Sequence, residues 1–137
     1  MREIKFRGKR ADNGKWIYGD AVTTETTEEQ PSKVEIREWN RYLECPEEVI
    51  PDTIGQFTGL YDENGEEIYE GDIVERFQPM PHYRNGVYFD GNAIYGVVRY
   101  IDAGFYILSD KQAYELSRNF DMWVQGNIHD NPELLNK

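Results

Sequence analysis

The 137-residue sequence has one cysteine, two histidines and no apolar run approaching the ~20 residues that a membrane-spanning helix needs. Cys45 cannot form an internal disulfide, which points to a reducing compartment. The amino terminus MREIKFRGKR lacks the apolar segment of a secretory signal, so the expected location is the cytoplasm, with no membrane partner. Structural zinc draws on several Cys and His ligands, and Cys45, His82 and His129 fall short of such a set. Nucleophilic catalysis needs a Ser or Cys beside a base; neither histidine lies in a nucleophile motif, and Glu44 beside Cys45 opposes thiolate formation. Neither GxxxxGK[ST] nor GxGxxG occurs, so no glycine-rich phosphate cradle is expected.

Basic residues are missing from one long stretch. Residues 44–75 carry eleven Asp and Glu and no Lys or Arg, whereas residues 1–15 carry six bases and two acids, within a net charge of −11. A surface for duplex nucleic acid must neutralise phosphates, so direct nucleic-acid binding is not expected of the acidic stretch. Residues 83–106 are crowded with aromatics that could stack bases, but residues 77–108 offer only Arg84 and Arg99 to line a basic groove. Packing or protein contact suits those rings better. The turn Asp62-Glu63-Asn64-Gly65 superficially looks like a calcium loop, but Gly65 falls at its fourth position and Ile73 at its twelfth, where an EF-hand needs glycine sixth and glutamate twelfth.

What is abundant favours strands. Eleven Ile and eight Val outnumber six Leu and five Ala, and ten Tyr join them. Alternation predicts a strand over Glu3–Arg7 with Ile4 and Phe6 on one face. A turn follows at Asp12-Asn13-Gly14, then a returning strand Trp16–Val22 with Trp16, Tyr18 and Val22 inward. Lys33–Trp39 reads as a strand through Val34 and Ile36, followed by an acidic connector carrying Pro46 and Pro51. Thr53–Leu60 and Glu67–Tyr69 make a hairpin about Asp62–Gly65, and Asp72–Phe77 continues after Gly71. Gln78–Asn92 reads as a loop excursion with a small hairpin at Asn85-Gly86. Ala93–Ile101 and Phe105–Leu108 form a further hairpin, and Met122–Ile128 is the last strand. The spacing of Ser109 and Gln112, with Ala113, Leu116 and Phe120 on one helical face, predicts a short helix over 110–118; Asn131-Pro132 predicts a final helical turn. The expected organisation is a single domain, 1–137. It divides into a hairpin, strand and connector over 1–45 and a small barrel or roll over 46–137, with the excursion at 78–92.

The block Ile54-Gly55-Gln56-Phe57-Thr58-Gly59-Leu60, the turn Asp62–Gly65 and the run Glu67-Ile68-Tyr69-Glu70-Gly71-Asp72-Ile73-Val74 resemble the YopX family of phage and prophage proteins. The start Arg2–Arg7 and the end Gly126–Leu135 (GNIHDNPELL) match the same pattern. The resemblance implies an SH3-like β-barrel toward the C-terminus and a phage or prophage origin in a bacterial host, and it supplies no catalytic residues to carry over.

The expected function is therefore a non-enzymatic, self-associating interaction module with no catalytic, cofactor or metal site, whose basic start pairs with the acidic stretch of another copy or meets a host or phage protein. An acidic mimic that occupies a host nucleic-acid-binding protein is the alternative, and a carboxylate-based hydrolase is a third reading that would need a concave site. Tyr83, Tyr88 and Phe89 are the candidate contact residues, and Gly59, Gly65 and Gly71 the candidate structural turns.

Overall fold

A computed structural model describes residues 4–24, 33–38, 46–77, 82–84, 87–89, 93–109, 112–118 and 120–136, with only the backbone described for 23–24, 82–84, 87–89 and 136. The described residues are mainly β, in two open antiparallel sheets and one separate two-stranded hairpin rather than a closed small barrel. The backbone divides into two compact units, residues 1–59 and 60–137, each with its own apolar cluster.

In the first unit, β1 (Phe6–Lys9) turns through Asp12–Gly14 into β2 (Trp16–Thr24), and β2 pairs with β3 (Lys33–Glu38). The two-residue β4 (Glu47–Glu48) lies on the far edge of β3, and β5 (Gly55–Tyr61) on the other side of β1, giving the order β4-β3-β2-β1-β5. The segment after β4 curls the sheet, because Val49 N–H donates to Val34 O while Ile50 N–H donates to Lys9 O. Ile17, Ile36 and Val49 are buried beneath, with Phe6, Val34 and Ile54 packed against them.

The inward face of β2 is the reverse of the one expected. Ile17 is buried and Tyr18 is 41% exposed, because β1 pairs Gly8 with Ile17 and so sets residues 17, 19 and 21 over the core. Gly19 is required on that face: a Cβ there would stand 1.9 Å from Arg37 O. Large aromatics at 16 and 18 are therefore left to the opposite face, where the basic residues of β1 lie.

The chain turns at Asp62–Gly65 into β6 (Glu67–Tyr69), which pairs back on β5 as the sixth strand of its sheet, and continues in the second unit through β7 (Asp72–Phe77). β8 (His82–Arg84) and β9 (Val87–Phe89) make the predicted small hairpin in the excursion. β10 (Ala93–Ile101), β11 (Gly104–Ser109), β12 (Gln112–Glu115) and β13 (Asp121–Asn127) complete a sheet of order β12-β11-β10-β7-β13. Ile68, Val74, Val98, Ile107, Leu116 and Met122 form its core.

Within the segment 110–118 predicted as a helix, Gln112–Glu115 is a strand instead. Ser109 and Gln112 are cross-strand partners closing a hairpin, so their three-residue spacing reflects β-register rather than a capping box. Tyr114 and Leu116 then reach the core from alternate positions of an extended chain. The final turn does form, as a 3-10 segment over Pro132–Asn136.

The β10–β11 hairpin turns on Asp102 and Ala103 with φ of 48° and 64°, the positive pair of a type I′ turn, yet neither is glycine. Ala103→Gly is expected to stabilise the protein by about 0.5–1 kcal/mol, since the relieved left-handed strain exceeds the extra backbone entropy of glycine. Urea denaturation at unchanged m-value checks it; a lower midpoint would show that the turn is unstrained.

Candidate functional site

Alternation along β1 places Lys5, Arg7 and Lys9 on one side of the first sheet, opposite Phe6 and the core. Each meets an aromatic ring. The Lys5 ammonium is 5.3 Å from the centre of Phe57, the Arg7 guanidinium 4.6 Å from Trp16, and the Lys9 ammonium 5.5 Å from the same Trp16 ring. Stacked cations of this kind hold position and charge together, each contact being worth roughly 0.5–2 kcal/mol according to its burial. Arg7 is buried, while Lys5, Lys9 and Trp16 are half-buried. The strip is thus a row of three cations on one side of the sheet, of which Lys5 and Lys9 are the less buried.

The next base is engaged otherwise. Arg10 Nε and Nη2 donate to the two Asp12 carboxylate oxygens at 3.0 and 2.7 Å, and Nη2 reaches Glu47 at 3.3 Å. The hydrogen bond to Arg10 holds the Asp12 carboxyl below its ordinary pKa, and the same bond raises that of Arg10. Because the pair is solvated, it fixes local geometry more than stability.

The acidic stretch is not one solvated face. Glu48, Asp52, Glu63 and Glu66 are exposed, but Asp62 and Asp72 are buried at 6% and 2% exposure. Asp62 Oδ1 accepts the N–H groups of Asn64 and Glu66 at 2.9 and 2.8 Å, and Oδ2 accepts Val124 N–H at 3.0 Å. Glu63 N–H donates to Met122 O beside it, so the turn blocks the edge of β13 as a short strand would. Both Asp62 oxygens are thus committed to backbone donors, which removes the ligand that a calcium loop would start from. Asp72 Oδ2 accepts Tyr69 N–H at 2.7 Å across the bend at Gly71.

Gly71 is at φ 92°, and its peptide groups bridge two elements: its N–H donates to Val98 O, and its carbonyl accepts Ile128 N–H. Gly59 and Gly65 are at φ 87° and 80°. At the other end of the same frame, a Cβ on Gly126 would stand 2.4 Å from Asn131 Oδ1, the atom that accepts Asn127 N–H. Asn127 Oδ1 in turn accepts the N–H groups of His129 and Asp130. The residues Asp62–Gly65, Glu70–Asp72 and Gly126–Asn131 are therefore a connected hydrogen-bonded frame in the second unit.

Tyr83 and Tyr88 are cross-strand partners in the β8–β9 hairpin and His82 faces Phe89; these side chains, and Cys45, lie outside the described residues. Among the described residues no three His, Cys, Asp or Glu are grouped to hold a metal ion, and no helix is long and apolar enough to cross a membrane. Two features escaped the sequence reading: the paired burial of Asp62 and Asp72 within an acidic run, and the stacking of the β1 cations on Trp16 and Phe57. The Asx pattern of Asp62, two and four residues before its N–H donors, was the signal for the first.

Asp62→Ala is expected to destabilise the protein by about 2–4 kcal/mol, because three backbone donors lose a charged acceptor and the Val124 N–H is left without one. Asp62→Asn, which keeps a single carbonyl oxygen, should cost about half as much. Chemical denaturation of both variants is the check, and an Asp62→Ala midpoint at the wild-type value would contradict the assignment.

In comparisons with known proteins, a search of curated proteins returns no significant match. The crystal structure of protein EF1440 from Enterococcus faecalis is similar, with 25% sequence identity and a TM-score of 0.50 over 98% of this chain and 99% of that chain. The family model described as YopX protein matches residues 5–136, which takes in both units and every block of the hydrogen-bonded frame, and the chain belongs to the YopX family.

Proposed function

We propose that the chain is a non-enzymatic protein-interaction module of phage or prophage origin that associates with itself in the cytoplasm of a bacterial host. The observation that carries this reading is the segregation of charge. Lys5, Arg7 and Lys9 share one side of β1, held by Trp16 and Phe57, while Glu48, Asp52, Glu63 and Glu66 are exposed within a stretch that has no base. Opposed charges of this kind steer two copies together and fix their register. The blocked edge of β13 favours contact through faces and side chains over sheet extension. In the second unit, the successive antiparallel strands β7, β10 and β11 support reading it as an SH3-like roll. The excursion, with Tyr83, Tyr88 and Phe89, is a second candidate contact.

The unbroken acidic run favours one other reading, an acidic mimic that occupies the nucleic-acid groove of a host protein. Pull-down from host lysate separates the two, since a mimic recovers DNA- or RNA-binding proteins that are released by salt.

Sedimentation at tens of micromolar is expected to give a mass that is a multiple of 16.1 kDa and that falls toward one copy in high salt. The Lys5→Glu, Lys9→Glu double variant should sediment as a single copy, and replacing Tyr83, Tyr88 and Phe89 together with Ser should weaken association while leaving the melting temperature near wild type. A wild-type protein of one-copy mass at low salt rejects self-association; a collapsed melting transition in the Ser variant makes those rings core.

A further inference from the structure

We propose that Arg76, in the second unit, anchors a binding site for a single oxyanion, of the carboxylate or phosphate kind. Nothing in the self-association reading uses this residue, so the two stand or fall separately.

Arg76 is on the core side of β7. It alternates with the fully buried Val74, and its neighbours in register are Ile94 on β10 and Met122 on β13. A cation at such a position, only 8% exposed, is held away from water among apolar side chains. The central carbon of its guanidinium is 3.9 Å from the centre of the Phe120 ring and 5.6 Å from that of Tyr114. Nη1 donates to Glu115 O at 2.9 Å. The Nε–H is buried and has no hydrogen-bond acceptor.

The partners it has leave it incomplete in a specific way. A phenyl ring attracts the cation through its π cloud but has no lone pair for an N–H, so Phe120 does not substitute for a hydrogen-bond acceptor. With Nη1 given to Glu115 O, the side-on edge carrying Nε–H remains, and that edge presents the parallel donors that two oxygens of a carboxylate or phosphate take together. Burial pushes the Arg76 guanidinium below its ordinary pKa and the field of Glu115 opposes this only in part, while the hydrogen bond to that residue goes to its backbone carbonyl. A buried cation with an unmet donor costs folding free energy unless something occupies it. A methionine of similar length would fill the same space without that cost, and an oxyanion on this edge would offset it for the guanidinium. The net charge of −11 works against polyanions, which fits a compact group with one or two charges.

The direct test follows the Arg76 Nε–H resonance of the full-length ¹⁵N-labelled protein during titration with sodium acetate and, separately, with inorganic phosphate. Sodium chloride at matched ionic strength is the control. A saturable shift of the Nε–H signal with at least one of the two anions is expected, along with shifts at Tyr114 and Phe120 and a rise in melting temperature that tracks saturation. The preferred anion tells a carboxylate site from a phosphate site. Arg76→Lys, which keeps the charge and loses the side-on edge, should abolish saturation at those neighbours. Arg76→Met should fold with a melting temperature at or above that of the unliganded wild type and show no anion response. A flat or linear response to both anions in the wild-type protein overturns the proposal. So does an Arg76→Met variant that melts well below wild type, which would make the guanidinium a structural element sufficient in itself.

Discussion

The carboxylate of Asp62 is the interaction on which the second unit most depends. It is one acidic group, buried at the tip of a hairpin, that accepts three backbone N–H groups, two within its own turn and one sixty-two residues later on β13. A charged acceptor strengthens each bond, and each one is comparable with the roughly 1.5–3 kcal/mol from fully burying one aliphatic core residue such as Val98 or Ile107. The difference lies in direction. Apolar burial tolerates a slip between strands, whereas three donors converging on two oxygens fix which residue of β13 stands beside the turn. The same contact closes the edge that a free β13 would offer to another chain.

Around this contact the other polar residues act in relay. Asp72 holds the bend that Gly71 permits, Gly71 bridges Val98 and Ile128, and Asn127 and Asn131 tie off the chain beyond β13. Asp62–Gly65, Glu70–Asp72 and Gly126–Asn131, which lie in stretches that resemble the YopX pattern, are also those that set these backbone hydrogen bonds in the second unit. In the first unit the frame is simpler: a curled sheet over Ile17, Ile36 and Val49, with cations stacked on rings on its other side.

Much of this was legible in the sequence because turn chemistry is local. Asn13-Gly14, Asp62–Gly65 and Asn85-Gly86 mark hairpins, and the strands joined by the first two are found within a few residues of their expected bounds. Face and register were harder to read. Trp16 and Tyr18 look like core by size, and only the pairing of Gly8 with Ile17 turns them outward. Ser109 and Gln112 satisfy a helix-start spacing and a two-residue hairpin equally well, and the choice was made by β11 offering Tyr114 a partner in Ile107. Composition cannot distinguish Asp62 and Asp72 from Glu63 and Glu66 within the acidic run; only the three-dimensional convergence of backbone donors does.

Native-state hydrogen exchange measures the central claim most directly, because it reports the amides that these carboxylates hold. If Asp62 and Asp72 organise the second unit, the N–H groups of Asn64, Glu66, Tyr69 and Val124 exchange only through the same global opening as core amides of β7 and β10, although Asn64 and Glu66 are exposed turn residues. Exchange of Glu66 and Val124 at rates typical of an unprotected loop, with the β7 and β10 core amides still protected, would show instead that the sheet stands without them.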